Sequence, residues 1–247
     1  MSKTRLLSSI YGITAILAAW QAAAAVLAQP IVPAPAAVLT KLAAIFVSDI
    51  APHSLFSLWR IAAGVCLAVI AGLPAGLCMG YFDRCDRALA PIVYLSYPVP
   101  KIALLPLLML TLGIGEASKI AMIVLIIVFQ VIVSVRDCIK SIPQETYYPL
   151  YSLGAGFAAI LRHVLLPAAL PQFLTSLRIA MATAVSVLFF TETFGTEYGM
   201  GFFIIDAWMR VDYPEMYAGI LVLSLLGLSL FSLIDWLEKK LCRWQCR

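Results

Sequence analysis

Six apolar runs, each about as long as a bilayer core is thick when wound into a helix, dominate this sequence. A transmembrane helix needs about 20 mostly apolar residues. Runs of that kind occupy residues 7–28, 58–81, 88–112, 119–135, 173–194 and 216–236. In lipid every backbone N–H and C=O must be satisfied within the protein, so such runs fold as helices. Composition agrees, with 12% of the 247 residues charged and 63% hydrophobic, whereas a soluble domain carries about 25% charge. The expected fold is an all-α polytopic membrane bundle of about six transmembrane helices, forming a single domain over residues 1–247. A soluble enzyme is excluded. A nucleic-acid-binding module is excluded too, because the net charge of +4 comes without a basic face or a Lys/Arg run.

The first run follows Lys3 and Arg5 and is rich in alanine, which resembles a signal peptide. Its apolar stretch continues through Ala28, so a retained helix is expected. Pro30, Pro33 and Pro35 then stop it, and residues 36–47 are expected to form a short amphipathic helix on the surface. The third run holds Pro91, Pro98, Pro100 and Pro106 with Lys101 among them. It must be broken or kinked, which a bilayer tolerates only where protein or a watery cavity surrounds the freed backbone. The longest interruption, residues 136–171, mixes Arg136, Asp137, Lys140, Glu145, Arg162 and His163 with apolar positions. Two short helices joined near Gly154 and Gly156 and ended by Pro167 are expected there. Residues 195–214, with Gly195, Gly199 and Gly201, read as a loop.

Six spans place both termini on one side. Twelve of the 17 basic residues fall on that side: Lys3, Arg5, Arg84, Arg87, Arg136, Lys140, Arg162, Arg178, Lys239, Lys240, Arg243 and Arg247. Lys41, Arg60, Lys119 and Arg210 fall on the other, and Lys101 lies within the third run. The positive-inside rule then makes both termini and the 136–171 loop cytoplasmic in a multi-pass protein.

Within the second run, Gly64, Ala68, Gly72, Gly76 and Gly80 recur every fourth residue. This small-residue face lets another helix approach closely, in the same chain or in another. Ionisable groups in membrane helices mark solute pathways by default. Glu192, flanked by Thr191 and Thr193, and Lys101, between Pro98 and Pro100 and Pro106, are the pathway candidates. The competing reading makes Glu192 an interfacial carboxylate held by water or an arginine, and Lys101 a side chain reaching for an interface. Cys66, Cys78, Cys85, Cys138, Cys242 and Cys246 include no C-x-x-C pair, and His53 and His163 are scattered, so ordinary thiols and no metal site are expected. No G-x-x-x-x-G-K-[ST], H-E-x-x-H or G-x-S-x-G occurs. No catalytic residues are assigned, and any ATP hydrolysis is expected on a separate subunit.

The 136–171 loop resembles that of membrane subunits of ABC-type importers, whose pattern is E-A-A-x3-G-x9-I-x-L-P. Here Gly154 is followed by Val164-Leu165-Leu166-Pro167, but the E-A-A positions read Tyr148-Pro149-Leu150. Further pieces are similar to permeases of the nitrate/sulfonate/taurine/bicarbonate type, a group that includes relatives serving thiamine precursors. They are Pro33-Ala34-Pro35, Ser57-Leu58-Trp59-Arg60 with Gly64, residues 72–76, Pro98-Val99-Pro100-Lys101 through Pro106, residues 112–119, Thr191-Glu192-Thr193 and Gly199-Met200-Gly201. The resemblance covers residues 30–236. It implies a type I ABC importer fold with a cytoplasmic coupling-helix loop, in the cell (inner) membrane. It also implies a second copy or a paralogous permease, two cytoplasmic ATPases carrying ATP and Mg, an external solute-binding protein, and no cofactor in this chain beyond contact with membrane lipid. Tyr148, Leu150, Leu153, Gly154, Ala155, Phe157, Leu161, Arg162 and Pro167 are the implied ATPase-coupling residues. The solute stays open among sulfonate-, nitrate-, taurine- and bicarbonate-like anions and a thiamine-precursor-like compound.

Two other classes compete. An ion-coupled secondary transporter needs buried carboxylates and inverted repeats, and the spans offer only Glu192 and no obvious repeat. An intramembrane hydrolase needs a nucleophile and base, and neither His53 nor His163 lies within one of the six runs.

Overall fold

The computed structural model describes the backbone of residues 3–243 and the side chains of residues 11–243. Cys246 and Arg247, two residues weighed above, lie outside the described residues. No strand occurs among the described residues.

Helix α1 (Lys3–Leu27) is followed by the proline-rich turn. Trp20 ties it down by donating to Pro33 O at 3.1 Å and stacking on Tyr217 at 5.7 Å. Helix α2 (Pro35–Ile45) starts with proline in its first turn, where the missing N–H costs nothing. The separate surface helix expected over residues 36–47 is corrected here. A π turn over Phe46–Ile50 carries it into α3 (Ala51–Tyr81), giving one helical run over Pro35–Tyr81. The physical reason lies at Pro52, which has no N–H for the ordinary ladder; the wider π turn accommodates it, with Ala51 N–H donating to Phe46 O.

Helix α4 (Asp83–Ser96) and helix α5 (Leu105–Leu112) flank a short 3-10 turn at Lys101–Leu104. The limbs Asp83–Ser96 and Lys101–Leu112 meet at 83°, with Pro98 and Pro100 in the break. Helix α6 (Glu116–Lys140) is longer at both ends than the 119–135 expected. Its polar last turn stays helical because Arg136 and Lys140 both pair with Asp86 of α4.

After a 3-10 turn at Gln144–Tyr147 come α7 (Tyr148–Ser152) and α8 (Phe157–Ile160). The expectation of two short helices ended by Pro167 is corrected here. Helix α8 continues through a π turn at Leu161–Leu165 into α9 (Leu166–Glu192), a single run over Phe157–Glu192. Pro167 follows that π turn, whose wider winding accommodates its missing N–H, so it lies within a continuing helical run rather than closing a helix. The loop expected over 195–214 is largely helix α10 (Met200–Met209). Helix α11 (Tyr213–Leu241) follows, capped by Asp212, which accepts from Glu215 N–H at 3.1 Å.

Four stretches among the described residues are long and apolar enough to cross a membrane: Pro35–Tyr81, Glu116–Lys140, Phe157–Glu192 and Tyr213–Leu241. The bent pair is a fifth, and α1 contributes the shorter apolar stretch Tyr11–Leu27.

The core forms where α3, α6 and α9 pack side by side. The glycine face of α3 lies against α6 of the same chain. A Cβ at Gly64 would stand 2.6 Å from Ile123 Cγ2, at Gly72 2.9 Å from Val131 Cγ1, at Gly76 2.8 Å from Ile132 O and at Gly80 2.5 Å from Ile139 Cβ. Those gaps are below van der Waals contact, so the two backbones are as close as glycine permits. Ile127, Val131, Val135 and Leu188 complete the buried core. A second cluster joins Val38 and Ile50 to Met200, Phe203, Ile204 and Ala218, fastening α2 to α10 and α11.

Candidate functional site

The bundle has two chemically different ends. At one, α3 finishes, α6 finishes and α8 begins. Tyr81 packs its ring 6.4 Å from Tyr147 and 5.2 Å from Phe157, and Phe82 lies 5.3 Å from Phe157. The implied coupling residues sit here. Leu150 and Leu161 turn inward onto the core, while Tyr148, Leu153 and Phe157 point out, Leu153 being 82% exposed. Arg162 is exposed and Pro167 half-buried.

Gly154 explains the turn. Its φ is +68°, its N–H donates to Tyr151 O at 3.0 Å, and Ala155 N–H donates to Leu150 O at 3.0 Å. This pair of bonds is a Schellman close of α7, which needs a left-handed residue at that position. A Cβ on Gly154 would meet nothing within 4 Å, so the demand for glycine is one of backbone conformation, not space. Residues 147–161 contain no charged side chain. Burial pushes the Tyr147 phenol above its ordinary pKa, aided by the neighbouring Tyr151 oxygen.

At the opposite end, Glu192 is fully buried and bound on every side. Arg60 Nη1 donates to its Oε1 at 2.6 Å, Ser57 Oγ donates at 2.9 Å, and Gly201 N–H donates to Oε2 at 2.9 Å. Arg60, 1% exposed, also forks onto Glu116 at 2.7 and 2.5 Å and donates to Tyr198 O at 2.7 Å. Met200 N–H donates to Ser57 Oγ at 2.8 Å, and Gly199 N–H to His53 Nδ1 at 3.0 Å. The start of α10 is thus held by partners on α3 and α9, which satisfy amides that a helix end leaves open. The glycines make room for it. A Cβ on Gly199, whose φ is +139°, would stand 2.6 Å from Glu192 Oε1, and one on Gly201 2.7 Å from Glu192 Cβ. Arg60 is the partner that sequence reasoning did not assign to Glu192, 132 residues away. The arginine of the Ser57–Arg60 segment was the available signal, since a span tolerates an arginine only with a partner.

The pathway candidates from sequence do not form one cluster. Thr191 is buried and donates to Leu188 O at 3.0 Å beside Glu192. Lys101 belongs to the bend of the α4–α5 limb. Its ammonium donates to Ser96 O and Tyr97 O, both at 3.0 Å, and lies 4.9 Å from the Phe129 ring centre. It closes the carbonyls that α4 leaves open where Pro98 and Pro100 interrupt the helix. A further ion-pair group joins Lys41 to Asp212 at 2.8 Å and Glu215 at 3.1 Å, and Arg210 to Glu215 at 2.6 Å. Among the described residues no three metal-ligating side chains gather.

Comparison with known proteins adds identity to this geometry. Residues 64–243 match the family of binding-protein-dependent transport system inner membrane components. The chain is 35% identical to the taurine transport system permease protein of Escherichia coli, over 91% of this chain and 84% of that one. It is 31% identical to the formylaminopyrimidine transport permease protein of Halalkalibacterium halodurans, over 93% and 92%. Among solved structures, a chain of the MetNI methionine ABC transporter in inward-facing conformations aligns with a TM-score of 0.65 at 21% identity, covering 82% of this chain and 97% of that one.

Proposed function

The chain belongs to the family of binding-protein-dependent transport system inner membrane components, and we propose how its two ends divide the work of import. It is the membrane-spanning permease subunit of an ATP-driven ABC importer. In our reading the Tyr81 end is cytoplasmic, with both termini there, as the distribution of basic residues implies. Two copies, or this chain and a paralogous permease, line the pathway, and an external binding protein delivers the solute. Two ATPase subunits carry ATP and Mg and dock on the turn around Gly154; this chain itself needs no cofactor.

The observation that carries the coupling role is the exposed, uncharged apolar turn of Tyr148, Leu153 and Phe157, fixed by the Gly154 Schellman close and backed by the aromatic contact to Tyr81 and Phe82. Leu150, Ala155, Leu161, Arg162 and Pro167 support that turn and tie it to α9. Closure of the ATPases on ATP would draw two such turns together. Because α8 runs without a break into α9, the displacement reaches the Glu192 end of the same helical run. The solute is a small sulfonate, taurine-like or thiamine-precursor-like compound, since the relatives named for taurine and formylaminopyrimidine cover nearly the whole chain.

The test is a pair of substitutions at Gly154. Gly154→Leu forces a branched residue into a left-handed conformation at a cost of about 1–2 kcal/mol, and ATP-driven uptake is expected to fall while ATP hydrolysis continues uncoupled. Gly154→Asn, which adopts that conformation more readily, is expected to keep coupling. Unchanged coupled uptake in Gly154→Leu would remove the turn from the mechanism.

A further inference from the structure

At the Arg60 end a cleft of about 530 Å³ opens between the turn before α6 and the loop after α9, a volume in the range of small-ligand sites. Deep in it lies Lys119, 2% exposed. Its ammonium donates to Gly115 O at 3.2 Å and Gly195 O at 3.3 Å, and among the described residues it forms no ion pair with a carboxylate. An ammonium has three N–H donors, so one donor remains for a guest, while the nearby Glu116 and Glu192 carboxylates act on its charge from a distance. Arg60 lines the same cleft but is consumed by Glu116, Glu192 and the Tyr198 carbonyl.

Nearer solvent the sign reverses. The Glu116 side chain is 46% exposed, and Glu197 is exposed. Phe56 and Tyr198 stack there with ring centres 4.9 Å apart, and aromatic faces attract cations. A simple anion reaching Lys119 passes the exposed Glu197, and a simple cation meets the buried Lys119 ammonium at the end. Only a solute with both charges gains at both depths.

Resting on the importer reading above, we propose that this cleft is an external receiving site for a small zwitterion. Lys119 holds its sulfonate or carboxylate group, and Glu197 with the Tyr198 ring holds its ammonium. The site lies in the permease itself and acts after release from the binding protein, so this chain contributes to selectivity.

The experiment uses the assembled permease–ATPase complex in nanodiscs without binding protein, read by saturation-transfer NMR with taurine, β-alanine, ethanesulfonate and ethylammonium as probes. Transfer to taurine is expected to exceed that to ethanesulfonate and ethylammonium by about fivefold, the scale of one partly exposed charge pair. β-Alanine matching taurine places either oxyanion on Lys119; β-alanine silent beside taurine restricts the site to sulfonates. Lys119→Met is expected to abolish taurine transfer and Lys119→Arg to keep it. Glu197→Gln, a change on an exposed loop, is expected to bring taurine down to the ethanesulfonate level. Equal signals from taurine and ethanesulfonate, or taurine transfer unchanged in Lys119→Met and Glu197→Gln, overturns the site. ATP-driven uptake by the same complex supplied with its binding protein is scored separately. Uptake with a silent cleft overturns only this site, whereas no ATP-driven uptake of any solute overturns the importer reading.

Discussion

Removing the Arg60 side chain is the most informative perturbation of the end opposite the coupling turn. In Arg60→Met the guanidinium vanishes from between Glu192, which is fully buried, and Glu116, whose side chain is 46% exposed. Glu116 regains water. Glu192 keeps the Ser57 hydroxyl and the Gly201 amide but loses its only ion-pair partner among the described residues. Stranding one charge of a buried pair costs about 3–5 kcal/mol, a third or more of the stability of many domains, which is about 5–15 kcal/mol. For a chain of this size that is a drop of about 6–20 °C in melting temperature. The double variant Arg60→Met/Glu192→Met removes both charges and is expected to recover more than half of the loss, since apolar replacement of a whole buried pair is often neutral. Glu192→Gln keeps the shape and the Ser57 contact, and falls between wild type and Arg60→Met. The assay is thermal unfolding of the purified chain in one detergent, followed by size-exclusion recovery. A melting temperature for Arg60→Met within about 2 °C of wild type, under 1 kcal/mol, or a double variant no better than the single, refutes the reasoning.

Three further outcomes follow from the geometry. Gly76→Ala puts a methyl 2.8 Å from the rigid Ile132 carbonyl and is expected to destabilise by about 1–3 kcal/mol, whereas Gly12→Ala, with nothing within 4 Å, is expected to be neutral or to gain about 0.5–1 kcal/mol; thermal unfolding of both decides it. Because Arg162 is the single charged side chain among the coupling residues and residues 147–161 carry none, recovery of the ATPase with the permease is expected to change less than about twofold between 0.1 and 0.5 M NaCl, where screening would loosen an ionic contact; a large loss on co-purification makes the docking ionic, with Arg162 as its contact. Lys101→Met leaves the Ser96 and Tyr97 carbonyls at the bend without their donor and is expected to cost about 1–3 kcal/mol, with Lys101→Arg less harmful; a raised KM for uptake with unchanged thermal stability would instead make Lys101 a solute contact.

The hydropathy of the sequence carries the spans because lipid permits so few backbone solutions, and the prolines around Lys101 locate the break for the same reason. The glycine spacing of α3 shows a close helix contact, but only the structure names Ile123, Val131 and Ile139 as its other side. Helix ends were harder to read. Arg136 and Lys140 look like the edge of a loop in sequence, yet a single carboxylate, Asp86, holds both and lets α6 continue. Helix α10 was hidden because ten residues, Gly201 and Asp206 among them, are too few for a span, and one of its two anchors, Ser57, comes from a distant part of the chain. The Arg60–Glu192 pair is tertiary in the strict sense, since nothing local relates positions so far apart.

The unbroken run Pro35–Tyr81 has a mechanical consequence. At 1.5 Å per residue its 47 residues measure about 70 Å, more than twice the hydrocarbon thickness. It touches the rings of the coupling turn at Tyr81 and the Lys41–Asp212–Glu215 ion pairs near its start. Such a helix is a torsion rod. A twist applied at Tyr81 travels along its backbone past Pro74, where one ladder bond is missing, to the π turn at Phe46–Ile50, where the winding changes and rotation turns into tilt. Moving that turn by a single inserted residue would leave both ends chemically intact and change only the phase between them.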